Sequence, residues 1–359
     1  MPLSGEILVA LSGGVDSAVS ALKLSQMGFK IVGVIFKLWE FSSDGVRRNN
    51  SSHSNERILA AKKLCENLNC KFIVEDVAEQ FHSEIVKNFT DEYRNGRTPN
   101  PCVICNPRIK WSNLTALADK LAIEKVATGH YARTFRRSDD RYNLLRGADT
   151  RKDQSYFLYR LTQEYLARTV FPVGHLRKEQ VRTIADNFGL PLSSPRESQE
   201  LCFLPDGNIK SFMRKFIPDA TERGPIFDSA NNRIGTHNGI AFYTIGQREG
   251  LGGGYSQKMY VLDIIPSENA IVIGGENELW KTKFLMSDIN WIQKIDRKFD
   301  CTVRIRHFHK DSPAIIEPNG DSAIVEFEKP QRAITCGQSA VFYDELKVIG
   351  GGIIDKIMC

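Results

Sequence analysis

The chain has 359 residues, 42% of them hydrophobic and 25% charged, with a formal net charge of +5. That length predicts two or three domains, and the composition excludes a disordered or fibrous chain; no apolar run is long enough for a transmembrane helix. Eight cysteines are too few for a disulfide scaffold, and the mild positive charge permits a polyanionic partner without demanding one.

Residues 6–11 (EILVAL) read as an apolar strand that begins almost at the first residue, so no signal or transit peptide is expected and the expected location is cytoplasmic. Ser12-Gly13-Gly14-Val15-Asp16-Ser17 is too glycine-rich to be helical, and Ala18, Val19, Ala21, Leu22 and Leu24 then open an apolar helical face. A strand, a glycine-rich turn and a helix start make an anion site, because glycine lets backbone N–H groups approach and the helix dipole favours negative charge. Asp16 beside a phosphate is placed to hold Mg²⁺. The Walker loop is excluded because Gly-Lys-Ser/Thr is missing, and the dinucleotide fingerprint because Gly-x-Gly-x-x-Gly is missing. The bland alternative is an ordinary tight turn.

Residues 30–38 are a second apolar strand, completing a βαβ unit. The polar stretch 41–55 reads as a loop, 55–67 as an amphipathic helix, 71–74 as a strand and 78–93 as a helix. This alternation predicts a doubly wound parallel-sheet α/β domain with ligands at the carboxyl ends of its strands, where Ser12 to Ser17 fall. The prolines of 95–107 (NGRTPNPCVICNP) argue against helix and central strand. A helix over 108–121 would take Asn106 as N-cap and Pro107 as first residue, leaving Cys105 just before the helix start, where a thiol's pKa falls.

Residues 125–128 are a short strand, 142–145 one arm of a hairpin, and 176–188 a helix ended by Gly189 and Pro191. A polar loop over 192–200 precedes Leu201-Cys202-Phe203. Beyond 206 helices largely disappear. Alternating runs at 239–245, 259–264 and 270–273 suggest a small β-rich central domain, and short strands from 284 onward suggest an antiparallel β-barrel. The expected domains are 1–206, 207–280 and 281–359.

Cys102 and Cys105 form a C-x-x-C. A zinc half-site is one reading, but no second pair and no flanking histidine supplies the remaining ligands. A redox pair is another, but such a pair normally opens a helix rather than sitting among prolines.

SGGVDS resembles the PP-loop of the ATP pyrophosphatase superfamily, whose members cleave ATP between the α and β phosphates and leave AMP on a substrate oxygen. Together with GRTPNPCVICN, ATGHYAR, KDQSYFLY, ELCFLP, IGQREGLG and CGQSAVFY, it resembles the bacterial-type tRNA uridine 2-sulfurtransferases, or tRNA-specific 2-thiouridylases, over nearly the whole chain. The resemblance implies that Ala10, Leu11, Ser12, Gly13, Gly14, Val15, Asp16 and Ser17 bind ATP with Mg²⁺, with Phe36 and Gly129 against the nucleotide. It implies Cys105 as nucleophile and Cys202 as persulfide carrier, with a disulfide between them forming in turnover. Asn100, Pro101 and Cys102 would flank the target base. His130, Lys152, Asp153, Gln154, Arg306, His307 and Gln338 would contact tRNA. The implied partners are tRNAs with a wobble uridine at position 34 (lysine, glutamate and glutamine acceptors) and a sulfur-relay protein or cysteine desulfurase. No membrane partner is implied.

The chemistry of the residues agrees with that reaction. Replacing the C2 oxygen of uracil by sulfur needs a better leaving group, which adenylation supplies. Two thiols able to reach disulfide distance then suffice to deliver the sulfur and release the product. One departure stands out: many members carry an Asp, acting as an acid/base group, where this chain has Cys102. Cys102, Cys105 and Cys202 could instead ligate three irons of a [4Fe–4S] cluster. Two further readings stay open, another PP-loop ligase and a non-catalytic nucleotide-binding tRNA chaperone.

Overall fold

The computed structural model describes residues 5–41, 52–191, 201–204, 207–255 and 257–358. The polar loop expected over 192–200, and most of that expected over 41–55, lie outside the described residues. The chain divides into two compact units. One comprises 1–84, 102–207 and 346–348, and the other 85–101, 208–345 and 349–359.

The first unit is built on β1 (Glu6–Leu11), α1 (Val15–Gln26), β2 (Lys30–Lys37), α2 (Ser52–Asn67) and β3 (Lys71–Asp76). After these come β4 (Lys125–Thr128) and β7 (Thr169–Val170), which complete a sheet of order β3-β2-β1-β4-β7. All its pairings are parallel, with Ile7 opposite Ile31 on one side and Lys125 on the other. Both faces of β1 are covered, which is why its sequence is a continuous apolar run rather than an alternation. Ile7, Val9 and Leu11 pack with Ala18, Leu24 and Leu64, while Leu8 packs with Leu114 and Ala118. The doubly wound expectation holds. A hairpin of β5 (Ala132–Arg136) and β6 (Tyr142–Arg146) follows β4, and Lys347 and Val348 pair with its second arm. The expected helix near 176–188 is α9 (Lys178–Asn187), preceded by α7 (Ser155–Leu158) and α8 (Gln163–Arg168).

Two helical stretches differ from expectation. The one read over 78–93 is α3 (Ala78–Phe81), a π-helical turn (His82–Val86) and α4 (Lys87–Arg94). The second difference concerns the proline-rich segment. Helix begins there at Pro101, as α5 (Pro101–Cys105), passes through a π-helical turn (Asn106–Trp111) and continues as α6 (Ser112–Lys120). Pro101 sits at a first helical position, where its missing N–H costs nothing. Pro107 falls in the wide turn, whose altered hydrogen-bond register tolerates a residue without a donor. Asn106 is therefore not an N-cap. It is buried, and its Nδ2 donates to the Phe157 carbonyl at 2.8 Å.

The second unit holds α10 (Ile209–Phe216) and a four-stranded sheet of order β10-β11-β8-β9. Its strands are β8 (Gly224–Asp228), β9 (Arg233–His237), β10 (Tyr260–Ile265) and β11 (Ala270–Gly274). The strand expected over 239–245 is absent. A 3₁₀ turn, Ile240–Phe242, stands there, because Gly239 has φ +123° and lies so close to Thr221 that a Cβ would meet its Cα at 2.5 Å.

The expected barrel is present. β12 (Trp280–Trp291), β15 (Ser322–Arg332), β14 (Ser312–Asn319), β13 (Phe299–Arg304), β16 (Ser339–Asp344) and β17 (Lys347–Met358) follow one another in the sheet, and β12 closes it against β17. Phe284, Val303, Ile316, Val325, Phe342 and Ile354 fill its interior. Among the described residues no helix is long and apolar enough to cross a membrane.

Candidate nucleotide and thiol site

The first unit places the glycine-rich turn at the carboxyl end of central β1, with Phe36 near the end of β2 and Gly129 just past β4. Three neighbouring strands thus deliver the ATP-binding residues expected from the sequence to one sheet edge. The turn is held by its serines. Ser17 Oγ donates to the Gly14 carbonyl at 3.0 Å, and Ser17 Oγ accepts from the Ser12 N–H at 3.1 Å. Gly14 is the N-cap of α1 and provides no capping side chain, which suits an anion at that helix start.

Two glycines are demanded by space. Gly13 has φ +74°, and a Cβ on it would lie 2.8 Å from Arg57 Cα; a Cβ on Gly129 would lie 2.6 Å from Ser17 N. The turn is therefore clasped between α2 and the residue after β4. From α2, Arg57 Nε donates to the Ser12 carbonyl at 2.8 Å.

Asp16 lies in the first turn of α1. Its carboxylate accepts Lys178 Nζ at 2.7 Å on each oxygen and the Tyr131 hydroxyl at 2.7 Å. Asp16 fits Mg²⁺ at a phosphate site, which needs one or two carboxylates and completes its shell with phosphate oxygens and water.

Cys102, Cys105 and Cys202 all belong to this unit. Cys102 and Cys202 are exposed and Cys105 is buried. Surrounding protein raises all three thiols, Cys105 to about 12 and Cys202 to about 11, while the nearby Lys110 ammonium opposes the rise at each. Water reaches Cys102 and Cys202, so the rise matters most at Cys105. The expectation of a helix-lowered thiol at Cys105 is corrected. Helix starts at Pro101, four residues before Cys105, and burial, not the helix dipole, dominates. The thiols also sense one another: charge on Cys202 or Cys102 raises Cys105, and charge on Cys102 raises Cys202. Arg57 favours the Cys202 thiolate. Among the described residues no group of three His, Cys, Asp or Glu is arranged to hold a metal ion.

The residues expected to touch tRNA are placed as follows. His130 Nδ1 lies 2.9 Å from Thr128 Oγ1, and its ring packs 5.4 Å from Trp111. Burial, then Lys110, lowers its pKa to about 3, so it is neutral. Asp153 is buried and accepts from the Gly147 and Ser155 N–H groups and the Ser155 hydroxyl, and Gln154 Oε1 accepts from the Tyr131 N–H at 2.9 Å. Both brace the loop that carries half-buried Lys152. In the second unit, Arg306 donates to the Ala333 carbonyl and to Thr335 Oγ1. Half-buried His307 follows it and packs edge-on against exposed Phe308. Gln338 Nε2 donates to the Thr98 and Pro99 carbonyls at 2.8 and 3.3 Å, fixing the backbone before Asn100 and Pro101.

Lys110, which the sequence places beside Cys105 as a cation favouring the thiolate, does oppose the rise there, whereas sequence reasoning missed Arg57, Tyr131 and Lys178. Tyr131 lies within the quoted ATGHYAR motif, and Lys178 falls in the first turn of the helix expected over 176–188, so each carried a local signal. Their partners are far away in the chain.

This sheet edge, turn and helix start define a PP-loop nucleotide-binding α/β domain. Residues 5–206 match the family model described as the tRNA methyl transferase HUP domain. Residues 210–275 match the tRNA methyl transferase PRC-barrel domain and 281–354 the aminomethyltransferase beta-barrel domain. The chain is 44% identical over 361 residues to tRNA-specific 2-thiouridylase MnmA 1 of Caldanaerobacter subterraneus subsp. tengcongensis, covering 99% of each. It is 40% identical over 363 residues to tRNA-specific 2-thiouridylase MnmA of Natranaerobius thermophilus, again covering 99% of each. A solved 4-thiouridine synthetase–RNA complex with bound ATP overlaps 60% of this chain and 51% of that chain at 15% identity, with a TM-score of 0.35, too loose to carry an argument. The full-length relatives settle the family: the chain belongs to the tRNA-specific 2-thiouridylases.

Proposed function

We propose that this chain replaces the C2 oxygen of the wobble uridine, position 34, of tRNA with sulfur, using ATP and Mg²⁺. One observation supports this reading: the chain is 44% and 40% identical, over 99% of each sequence, to two tRNA-specific 2-thiouridylases. Arg57, which donates to the Ser12 carbonyl of the turn, also lies near enough to Cys202 to oppose slightly the rise that burial imposes on it.

The serine-glycine turn and the start of α1 bind the phosphates, and Asp16 holds the cation that screens them. The uracil C2 oxygen attacks the α phosphate and expels pyrophosphate, leaving AMP on that oxygen. Exposed Cys202 carries the incoming sulfur as a persulfide, accessible to a sulfur-relay protein or cysteine desulfurase. The terminal persulfide sulfur bonds to C2 and AMP leaves. Cys105 then attacks the Cys202 sulfur, the bond from Cys202 to the delivered sulfur breaks, and that sulfur keeps the electron pair as the thiocarbonyl. In the other order, Cys105 attacks the persulfide first and releases hydrosulfide. Both orders leave a Cys105–Cys202 disulfide, which two external thiols must reduce before the next turnover. Asn100, Pro101 and Cys102 flank the flipped base, and His130, Lys152, Arg306, His307 and Gln338 line or position the tRNA contacts. Lysine, glutamate and glutamine tRNAs are the substrates, the location is cytoplasmic, and the working domain boundaries are 1–206, 207–280 and 281–359.

The test is mass analysis of tRNA nucleosides after incubation with ATP, Mg²⁺ and a persulfide donor. Wild type is expected to form 2-thiouridine and release one pyrophosphate per product, and Cys105→Ala and Cys202→Ala neither to accumulate thiouridine nor to turn over. Normal product from either variant would sink the two-thiol route and favour another PP-loop ligase. Absence of pyrophosphate release would favour a nucleotide-binding chaperone.

A further inference from the structure

Lys178 is a buried cation at the start of α9, and its placement is fixed from both ends. Its backbone N–H donates to Asp149 Oδ2 at 3.0 Å. Its ammonium reaches both carboxylate oxygens of Asp16 at 2.7 Å and lies 5.8 Å from the centre of the Tyr131 ring. The helix therefore delivers one charge to the first turn of α1, beside the phosphate-binding turn, from 162 residues away. An ion pair with one partner buried is weak support for stability, since desolvation offsets much of the attraction. This pair also occupies the carboxylate that a nucleotide-bound cation needs.

We propose that Lys178 is a polyphosphate-binding residue: it neutralises Asp16 while the site is empty and turns to the triphosphate when Asp16 engages the cation. The inference rests on the ATP reading above. Three features support the exchange. Lysine is a point charge on a flexible four-carbon stem, so its ammonium can change partners without moving α9. Phosphate oxygens accept charge-assisted hydrogen bonds at least as well as a carboxylate does. The exchange also keeps buried Lys178 paired, because it gives up a carboxylate only as a phosphate replaces it. Tyr131, whose hydroxyl stays on Asp16 Oδ1, keeps the carboxylate oriented while its other contacts change.

Calorimetric titration of the full chain with a non-hydrolysable Mg²⁺–ATP analogue and with adenosine tests this. Lys178→Met is expected to weaken the triphosphate by ~10- to 100-fold, the loss of one charge-assisted contact. Adenosine affinity should stay within about twofold, since the contact is to phosphate. Unchanged or tighter triphosphate binding would overturn the proposal, because Lys178 would then act only as a competitor of the cation. Equal loss for adenosine would also overturn it, showing a purely structural part. Should Lys178→Met not fold, the neutral pair Asp16→Asn/Lys178→Met is compared with Asp16→Asn alone in EDTA. The double variant is expected to bind the metal-free triphosphate at least ~10-fold more weakly, and equal binding overturns the assignment. Wild type that binds neither ligand would defeat the ATP reading itself; wild-type binding that the variant retains would defeat only the role of Lys178.

Discussion

At the scale of single residues, the surroundings push three thiols up and one imidazole down. Cys105 is a buried thiol held up to about 12, with Lys110 pulling the other way. A thiol below its pKa gains thiolate tenfold per pH unit, so alkylation of Cys105, followed peptide by peptide with mass spectrometry, should rise ~10-fold per unit between about pH 7 and pH 9 without a plateau. Lys110→Ala should slow it by a further ~2- to 10-fold at fixed pH, because the opposing cation is gone. A plateau near neutral pH would mean that water, not burial, sets the thiol.

His130 works in the opposite sense, its folded pKa lowered to about 3 by burial first and Lys110 second. The unfolded chain binds a proton at about 6.5, so His130 contributes stability above that pH and loses it progressively as pH falls toward the folded value. The melting temperature of wild type should therefore fall on acidification below about 6.5, and His130→Asn should flatten that limb. Cys105, Cys202 and the turn residues stand out as candidates in the sequence because each lies within a motif of a few residues. Lys178 and Arg57 do not, since each acts on a partner 162 or 45 residues distant, and no local pattern encodes such a meeting.

At the scale of elements, close approach decides where the nucleotide site can form. The end of β4 touches the start of α1 only because residue 129 lacks a Cβ, and α2 reaches the turn only because residue 13 does. Gly129→Ala pushes on backbone atoms and Gly13→Ala adds left-handed strain, so each should cost ~1–3 kcal/mol in denaturant titration and weaken ATP binding more than ~10-fold in calorimetry. Gly5→Ala, with open space around it, is the control and should change neither.

The β1-turn-α1 unit was legible because its apolar run, glycines and helical periodicity agree. The helix containing Cys105 was not. Three prolines in NGRTPNPCVICNP outvoted it, and only the π-helical turn at Asn106–Trp111 shows how Pro107 is accommodated. That turn moved Cys105 from the front of a helix to its buried interior and reversed the expected direction of its pKa.

At the scale of the whole molecule, the barrel shows how little local pattern is needed when alternation is regular. Phe342 is fully buried and meets the rings of Trp291 and Phe299 at 5.7 and 6.4 Å. Phe342→Ala should destabilise the unit that contains it by ~3–5 kcal/mol in a denaturant melt, with the loss largest if the cavity cannot collapse. The sequence alone determined the doubly wound sheet, the closing barrel, the family and the glycine-rich turn after β1, because strand period, glycine and short motifs are local properties that survive unfolding. Tertiary structure alone decided which charges face Asp16, which thiol is buried and which way each pKa moves. Those depend on desolvation and distance between segments far apart in the chain, and both exist only once the chain has closed around them.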